Sequence, residues 1–184
     1  LDTGCSVMVT GSHNPPDYNG LKMVIDGTTL AGDAIQSLRA RLERGDVATG
    51  TGRYRVHDVG GAYLDRIAHD VKLARPMRIA VDCGNGVAGT YAPTLFRRLG
   101  CDLVELYCDV DGRFPNHHPD PSQPKNLADL SERLARGDCE IGLAFDGDGD
   151  RLGVATKEGH LIHPHRQLML CAADVLARVP GATV

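Results

Sequence analysis

Apolar residues recur along this chain with two periods, and the switches between them lay out its elements. Short apolar runs predict strands over residues 6–10, 21–25, 77–82, 102–107, 141–145 and 152–156. Helical spacing fills the intervals. Ile35, Leu38 and Leu42 share one face of a helix predicted over 33–43, with Asp33 as its cap. Further helices are predicted over 59–71, ended by Pro76, and over 89–99, 127–136 and 164–178, the last leading into an apolar stretch at 182–184. Residues 46–55 are rich in Gly and Thr with almost no apolar position, which marks a domain boundary. Strands alternating with helices imply an α/β fold with mixed, mostly parallel sheets covered by helices. No internal repeat or low-complexity segment interrupts the pattern.

The strand at 141–145 runs directly into Asp146-Gly147-Asp148-Gly149-Asp150-Arg151. At alternate positions of an extended strand the three carboxylates would leave one face, where they repel one another unless a cation binds them, and the glycines let the backbone turn tightly enough to gather all three around one ion. Oxygen ligands without His or Cys suit Mg²⁺ or Ca²⁺. An EF-hand loop is excluded, because its sixth and twelfth positions would be Arg151 and Lys157 in place of Gly and Glu. A bare acidic surface turn does not explain strict alternation after an apolar strand. Arg151 beside a bound cation makes sense if both hold a phosphate.

A second centre is the turn-rich loop Thr10-Gly11-Ser12-His13-Asn14-Pro15-Pro16-Asp17-Tyr18-Asn19-Gly20. It follows a predicted strand, so Ser12 is presented on a shaped turn. A Ser beside a His suggests a nucleophile or phosphate carrier, although Ser-His-Asn alone also occurs in plain surface turns. Taken with Lys22 and the three-Asp loop, these residues are the parts phosphoryl transfer needs: a carrier, cationic clamps and a metal site.

Composition narrows the classes. The chain has 184 residues, 42% of them hydrophobic and 24% charged, ample for a packed core and unlike a disordered chain. A net charge of −4, 4% aromatic residues and no Trp argue against nucleic-acid binding. No apolar run approaches a bilayer span, so no membrane partner is expected. Six cysteines without a C-x-x-C pair predict free thiols and a reducing cytoplasm. A start at Leu1 and a stop at Val184 within an apolar segment read as part of a longer protein.

Four stretches together resemble the α-D-phosphohexomutases, with the form T-G-S-H-N-P-P-D-Y-N-G closest to the bacterial phosphomannomutase/phosphoglucomutase branch. These are the Thr10 to Gly20 loop with Lys22, Asp82-Cys83-Gly84-Asn85-Gly86, Phe114 to Pro121, and Asp146 to Arg151. The resemblance implies the end of domain one over 1–55, all of domain two over 58–160 and the start of domain three over 161–184. It implies that Ser12 carries a phosphoryl group and interconverts mannose or glucose 1- and 6-phosphates through a 1,6-bisphosphosugar. Mg²⁺ would be held by Asp146, Asp148, Asp150 and the phosphoserine at Ser12. Lys22 and His13 would transfer protons, Arg151 would steady the phosphate, and Asn14 would shape the loop. The full-length enzyme is expected to be a monomer, and the chain by itself to be inactive.

Other patterns compete. A phosphoglucosamine mutase of the same family is an alternative. Gly84-Asn85-Gly86-Val87-Ala88-Gly89 with Asp109 fits the dinucleotide fingerprint of an oxidoreductase. A calcium-binding module would use the Asp146 loop alone. His117 and His118 beside Asp120 suggest zinc, but adjacent histidines point apart, and Pro115, Pro119 and Pro121 favour a stiff structural loop. His163 and His165 are weak ligand candidates, and Arg97 and Arg98 read as a solvated helix end.

Overall fold

A computed structural model of the chain describes residues 3–15 and 17–183. It contains two sheets. The first is a three-stranded antiparallel sheet of β1 (Ser6–Val9), β2 (Leu21–Ile25) and β3 (Thr28–Thr29), followed by α1 (Asp33–Glu43). Lys22 on β2 pairs with Met8, and Thr10 N–H donates to the Gly20 carbonyl at 2.9 Å, closing the long loop between β1 and β2. Asp33 is the first residue of α1 and caps nothing through its side chain, because Gly32 (φ 50°) occupies the N-cap. Ile35 and Leu42 are exposed.

The second unit begins with α2 (Gly60–Asp70) and is built around a five-stranded sheet of order β5-β4-β6-β7-β8. The strands are β4 (Arg78–Asp82), β5 (Asp102–Leu106), β6 (Ile141–Phe145), β7 (Leu152–Thr156) and β8 (Leu161–Ile162). β4 pairs in parallel with β5 and β6, whereas β6, β7 and β8 form an antiparallel meander. The sheet is mixed as expected, with more antiparallel pairing than strand–helix alternation implied. The connections from β6 to β7 and from β7 to β8 are too short for a crossover.

Side chains alternate between two cores, one on each face. On one face Ala80, Ala144 and Ala155 meet Leu127, Leu130 and Leu134 of α4 (Ala128–Ala135) and its lead-in turn. On the other, Ile79, Val81 and the partly buried Leu143 and Phe145 pack with Ala92 and Phe96 of α3 (Ala92–Arg98). Gly142 lets α4 come close, since a Cβ there would sit 2.6 Å from a Leu134 methyl. α3 and α4 start later than predicted. Each is preceded by a 3₁₀ turn, at Val87–Thr90 and Pro124–Leu127, and Pro93 and Pro124 stand within the first two positions of α3 and of the second 3₁₀ turn respectively. Arg97 and Arg98 are not simply solvated: they pair with Glu105 and Asp65. α5 (Pro164–Arg178) completes the chain. Ala182 and Thr183 follow α5 outside any regular element, and Val184 lies outside the described residues, as does Pro16 of the Ser12 loop.

Because β4 and β6 are parallel and in register (Asp82 beside Ala144), their carboxyl ends coincide. Asp82 ends β4, and Asp146 follows Phe145 at the end of β6. Both carboxylates are buried at the sheet edge where α/β folds place ligands.

Candidate active site

The three aspartates are gathered by a hairpin turn, which the two glycines allow, and not by an extended strand. Residues 146–151 join antiparallel β6 and β7. Asp146 organises the turn: its carbonyl accepts from Gly149 N–H at 3.1 Å, and its Oδ1 from Arg151 N–H at 3.0 Å. Gly149 supplies φ +76°. As a result, one carboxylate oxygen from each of Asp146, Asp148 and Asp150 falls within 4.8 Å of the others, at decreasing burial from Asp146 to Asp150.

The Ser12 loop lies against this turn from the other sheet. Ser12 Oγ donates to Asp146 Oδ2 at 2.8 Å and is 3.4 Å from Asp148 Oδ1. Ser12 is held at φ 49°, a left-handed conformation that costs a non-glycine residue about 1–3 kcal/mol. Thr10 helps to hold it there. Its hydroxyl accepts from Ser12 N–H at 2.9 Å and donates to Asp148 Oδ2 at 2.8 Å. Asn14 contributes its backbone N–H, which donates to the Gly11 carbonyl at 2.9 Å.

Two cations border the cluster. Lys22 Nζ bridges Asp148 (3.3 Å) and Asp150 (2.9 Å), and these carboxylates raise its pKa. Burial pushes the Asp148 carboxyl upward, but the Thr10 hydroxyl and the Lys22 ammonium outweigh it and hold the group below its ordinary value. Arg151 donates through Nε to Asp146 Oδ2 at 3.2 Å and reaches Asp120 Oδ1 at 3.4 Å. It also contacts His13 Nδ1, which is 3.1 Å from Ser12 Oγ.

All the predicted site residues, Ser12, His13, Lys22, Asp146, Asp148, Asp150 and Arg151, are thus brought to one place from two sheets. Sequence reading gave Thr10 and Asp120 no role at this site, although both lie in stretches that carry the family resemblance, because their partners are set only when the loops fold. It also missed the reason for Gly147. A Cβ there would collide with the Ser12 carbonyl oxygen, so the two loops meet backbone to backbone. The donor set fits a hard cation: three clustered carboxylates and a hydroxyl, all oxygen.

The glycine fingerprint is filled by protein. A Cβ on Gly86 would lie 2.8 Å from the Gly147 carbonyl oxygen, and one on Gly89 would collide with that of Cys108. These glycines serve packing, with no open cradle for a pyrophosphate. The zinc reading of His117 and His118 also fails, since the only cluster of three or more His, Cys, Asp or Glu ligands among the described residues is the Asp146 triad. His163 and His165 stack on each other at 5.7 Å. The described cysteines are all free, with Cys5 and Cys171 exposed.

The family model described as phosphoglucomutase/phosphomannomutase, alpha/beta/alpha domain II matches residues 61–159, and that for domain I matches residues 1–48. The chain belongs to the phosphoglucomutase/phosphomannomutase family. It is 60% identical to a phosphoglucomutase of Neisseria meningitidis over 98% of this chain and 40% of that protein. It is 53% identical to a phosphomannomutase/phosphoglucomutase of Pseudomonas aeruginosa over 100% of this chain and 40% of that one. A crystal structure of a phosphoglucomutase/phosphomannomutase family protein from Burkholderia thailandensis superposes with a TM-score of 0.94 at 57% identity, covering 97% of this chain and 39% of the other. The chain therefore spans about 40% of the length of these family members. No helix among the described residues is long and apolar enough to cross a membrane.

Proposed function

We propose that this chain carries the phosphoryl-transfer centre of a hexose phosphate mutase that interconverts the 1- and 6-phosphates of mannose or glucose. The observation behind this reading is the Ser12 hydroxyl on the Asp146 carboxylate, delivered from 134 residues away. Ser12, as a phosphoserine, gives its phosphoryl group to a free hydroxyl of the hexose monophosphate. The sugar oxygen bonds to phosphorus as the bond to Ser12 Oγ breaks, Oγ keeps the electron pair, and the hydroxyl proton leaves to a base. The 1,6-bisphosphosugar then returns its other phosphoryl group to Ser12 by the reverse step.

Asp146, Asp148, Asp150 and the oxygen at Ser12 would hold Mg²⁺, which when bound neutralises phosphate charge. Arg151, fixed by Asp146 and Asp120, is set to hold a phosphoryl oxygen. Lys22 keeps its proton between two carboxylates, so in this geometry it is a charge clamp rather than a base. His13, whose Nδ1 lies 3.1 Å from Ser12 Oγ, is left as the candidate for the proton.

The division that accompanies this reading is the end of a first domain over 1–55, a whole second domain over 58–160 and the start of a third over 161–184. The grip on the sugar and its far phosphate belongs to parts outside this chain. The full-length enzyme is proposed to act as a cytoplasmic monomer. Intact-protein mass and a coupled assay with glucose 1-phosphate and mannose 1-phosphate test the proposal. It predicts about 80 Da of phosphate on Ser12 and conversion of at least one substrate, and it fails if Ser12→Ala converts either at the wild-type rate.

A further inference from the structure

His117 has no part in the chemistry above, yet its ring is held at both nitrogens. Nε2 lies 3.1 and 3.0 Å from the two carboxylate oxygens of Asp82, and Nδ1 lies 3.0 Å from the His118 carbonyl oxygen. Both nitrogens face acceptors, and an imidazole satisfies two acceptors only when both carry protons. The arrangement favours the imidazolium, paired with a carboxylate whose side chain is 0% exposed. Asp82 Oδ1 also accepts from Gly84 N–H at 2.8 Å, which fixes the carboxylate at the end of β4.

The groups facing this ring are few. Asp82 comes from β4 and Asp129 from α4. Tyr107, after β5, lies edge-on at 5.3 Å and gives its hydroxyl to Asp129 at 2.6 Å, a bond that pushes the phenol up to about 12 and keeps it neutral. Burial works against the charged imidazolium, but Asp82 outweighs it, so His117 sits above its ordinary value of 6.5.

What the pair grips leads to the phosphoryl-transfer turn. Pro119, two residues on, is fully buried between the two glycine turns. Its Cβ would touch a Cβ on Gly84 at 3.1 Å, and its Cγ one on Gly147 at 3.5 Å. The next residue, Asp120, receives Arg151. One ion pair thus bolts the 114–121 loop to β4, and that loop supports both the Asp146–Arg151 turn and the arginine.

We propose that Asp82 and His117 are positioning residues, a buried clamp that holds the Asp146–Arg151 turn and Arg151 in their working geometry through Pro119 and Asp120. The proposal rests on the mutase reading for its kinetic consequence, but not for its structural one. Because the folded His117 is raised above its unfolded value, the clamp is fully present below the ordinary imidazole range. It is lost as pH rises through the folded value, where one nitrogen would turn a lone pair toward an acceptor.

The test uses the full-length protein and two readouts. By NMR, His117 should titrate above the ordinary imidazole range, and the Gly147 amide should shift with the same midpoint. That Gly147 step should vanish in His117→Gln and persist in His13→Gln and in His118→Gln, which remove the neighbouring imidazoles. In the mutase assay, kcat should fall on the alkaline side with the same midpoint. His117→Gln should lower kcat about 10- to 100-fold with KM little changed, and should flatten that limb. Asp82→Asn is the second variant if His117→Gln folds poorly, and the double variant should be no worse than either single one. A Gly147 step that survives His117→Gln would overturn the clamp, as would lost thermal stability with wild-type kcat and an unchanged pH limb. If the wild-type protein converts no hexose phosphate, the mutase reading falls, and the NMR arm still decides the clamp.

Discussion

An ammonium lodged between two carboxylates does not give up its proton easily, and this fixes what Lys22 can do. Removing it should leave Ser12 able to carry phosphate while slowing transfer to sugar. We expect Lys22→Ala in the full-length enzyme to retain a phosphorylated Ser12 and to lose about 10²–10³-fold in single-turnover rate, the usual cost of removing a preorganised charge at a transferring group. Ser12→Ala should differ in kind, showing no added mass and no turnover. Asp148→Asn should abolish most activity with the fold intact, checked by circular dichroism beside the assay. The pH behaviour of Asp148 has a definite sign. Its folded pKa lies below the ordinary 3.8, so its contribution to stability is present above that value and is lost as pH falls through the lower folded one. An NMR titration placing the Asp148 carboxyl midpoint above 3.8 in the metal-free protein would contradict the network drawn from Thr10 and Lys22.

At the scale of elements, α4 shows how much of the structure the sequence carried and where it fell silent. Leu130 and Leu134 stand one helical turn apart and are both fully buried over the sheet, so the apolar period marked the helix correctly. Truncating such a residue should leave a cavity worth about 2–5 kcal/mol. Leu134→Ala is expected to lower stability by that amount in urea unfolding, and a loss below 1 kcal/mol would mean that α4 is not packed as described. β3 and β8 were missed because two residues are too few to show a period of two. The turn that gathers Asp146, Asp148 and Asp150 was legible only in part, for a related reason. Alternating Asp and Gly suits an extended strand and a tight hairpin equally well, and only the antiparallel pairing of β6 with β7 chooses between them. Ser12, Lys22 and the aspartates were legible because their chemistry is written in residue type. Thr10, Asp120 and the Asp82–His117 pair were not, since a threonine, an aspartate or a histidine becomes a partner only when folding sets something opposite it.

On the scale of the whole molecule, the centre is assembled from two sheets that meet at two loops. The 184-residue chain by itself should show no conversion of glucose 1-phosphate. It holds the carrier and the carboxylates, whereas catalysis of phosphoryl transfer depends on positioning the substrate, which we assign to parts outside the chain. Measurable turnover by the purified chain would refute that division of labour. Where the two loops touch, there is room only for a hydrogen on Gly147 beside the Ser12 carbonyl. Every amino-acid replacement of a glycine puts a carbon there. In a saturation library selected for growth on the enzyme's activity, Gly147 should therefore be as intolerant as Asp148, an empty position under the same purifying pressure as a charged one.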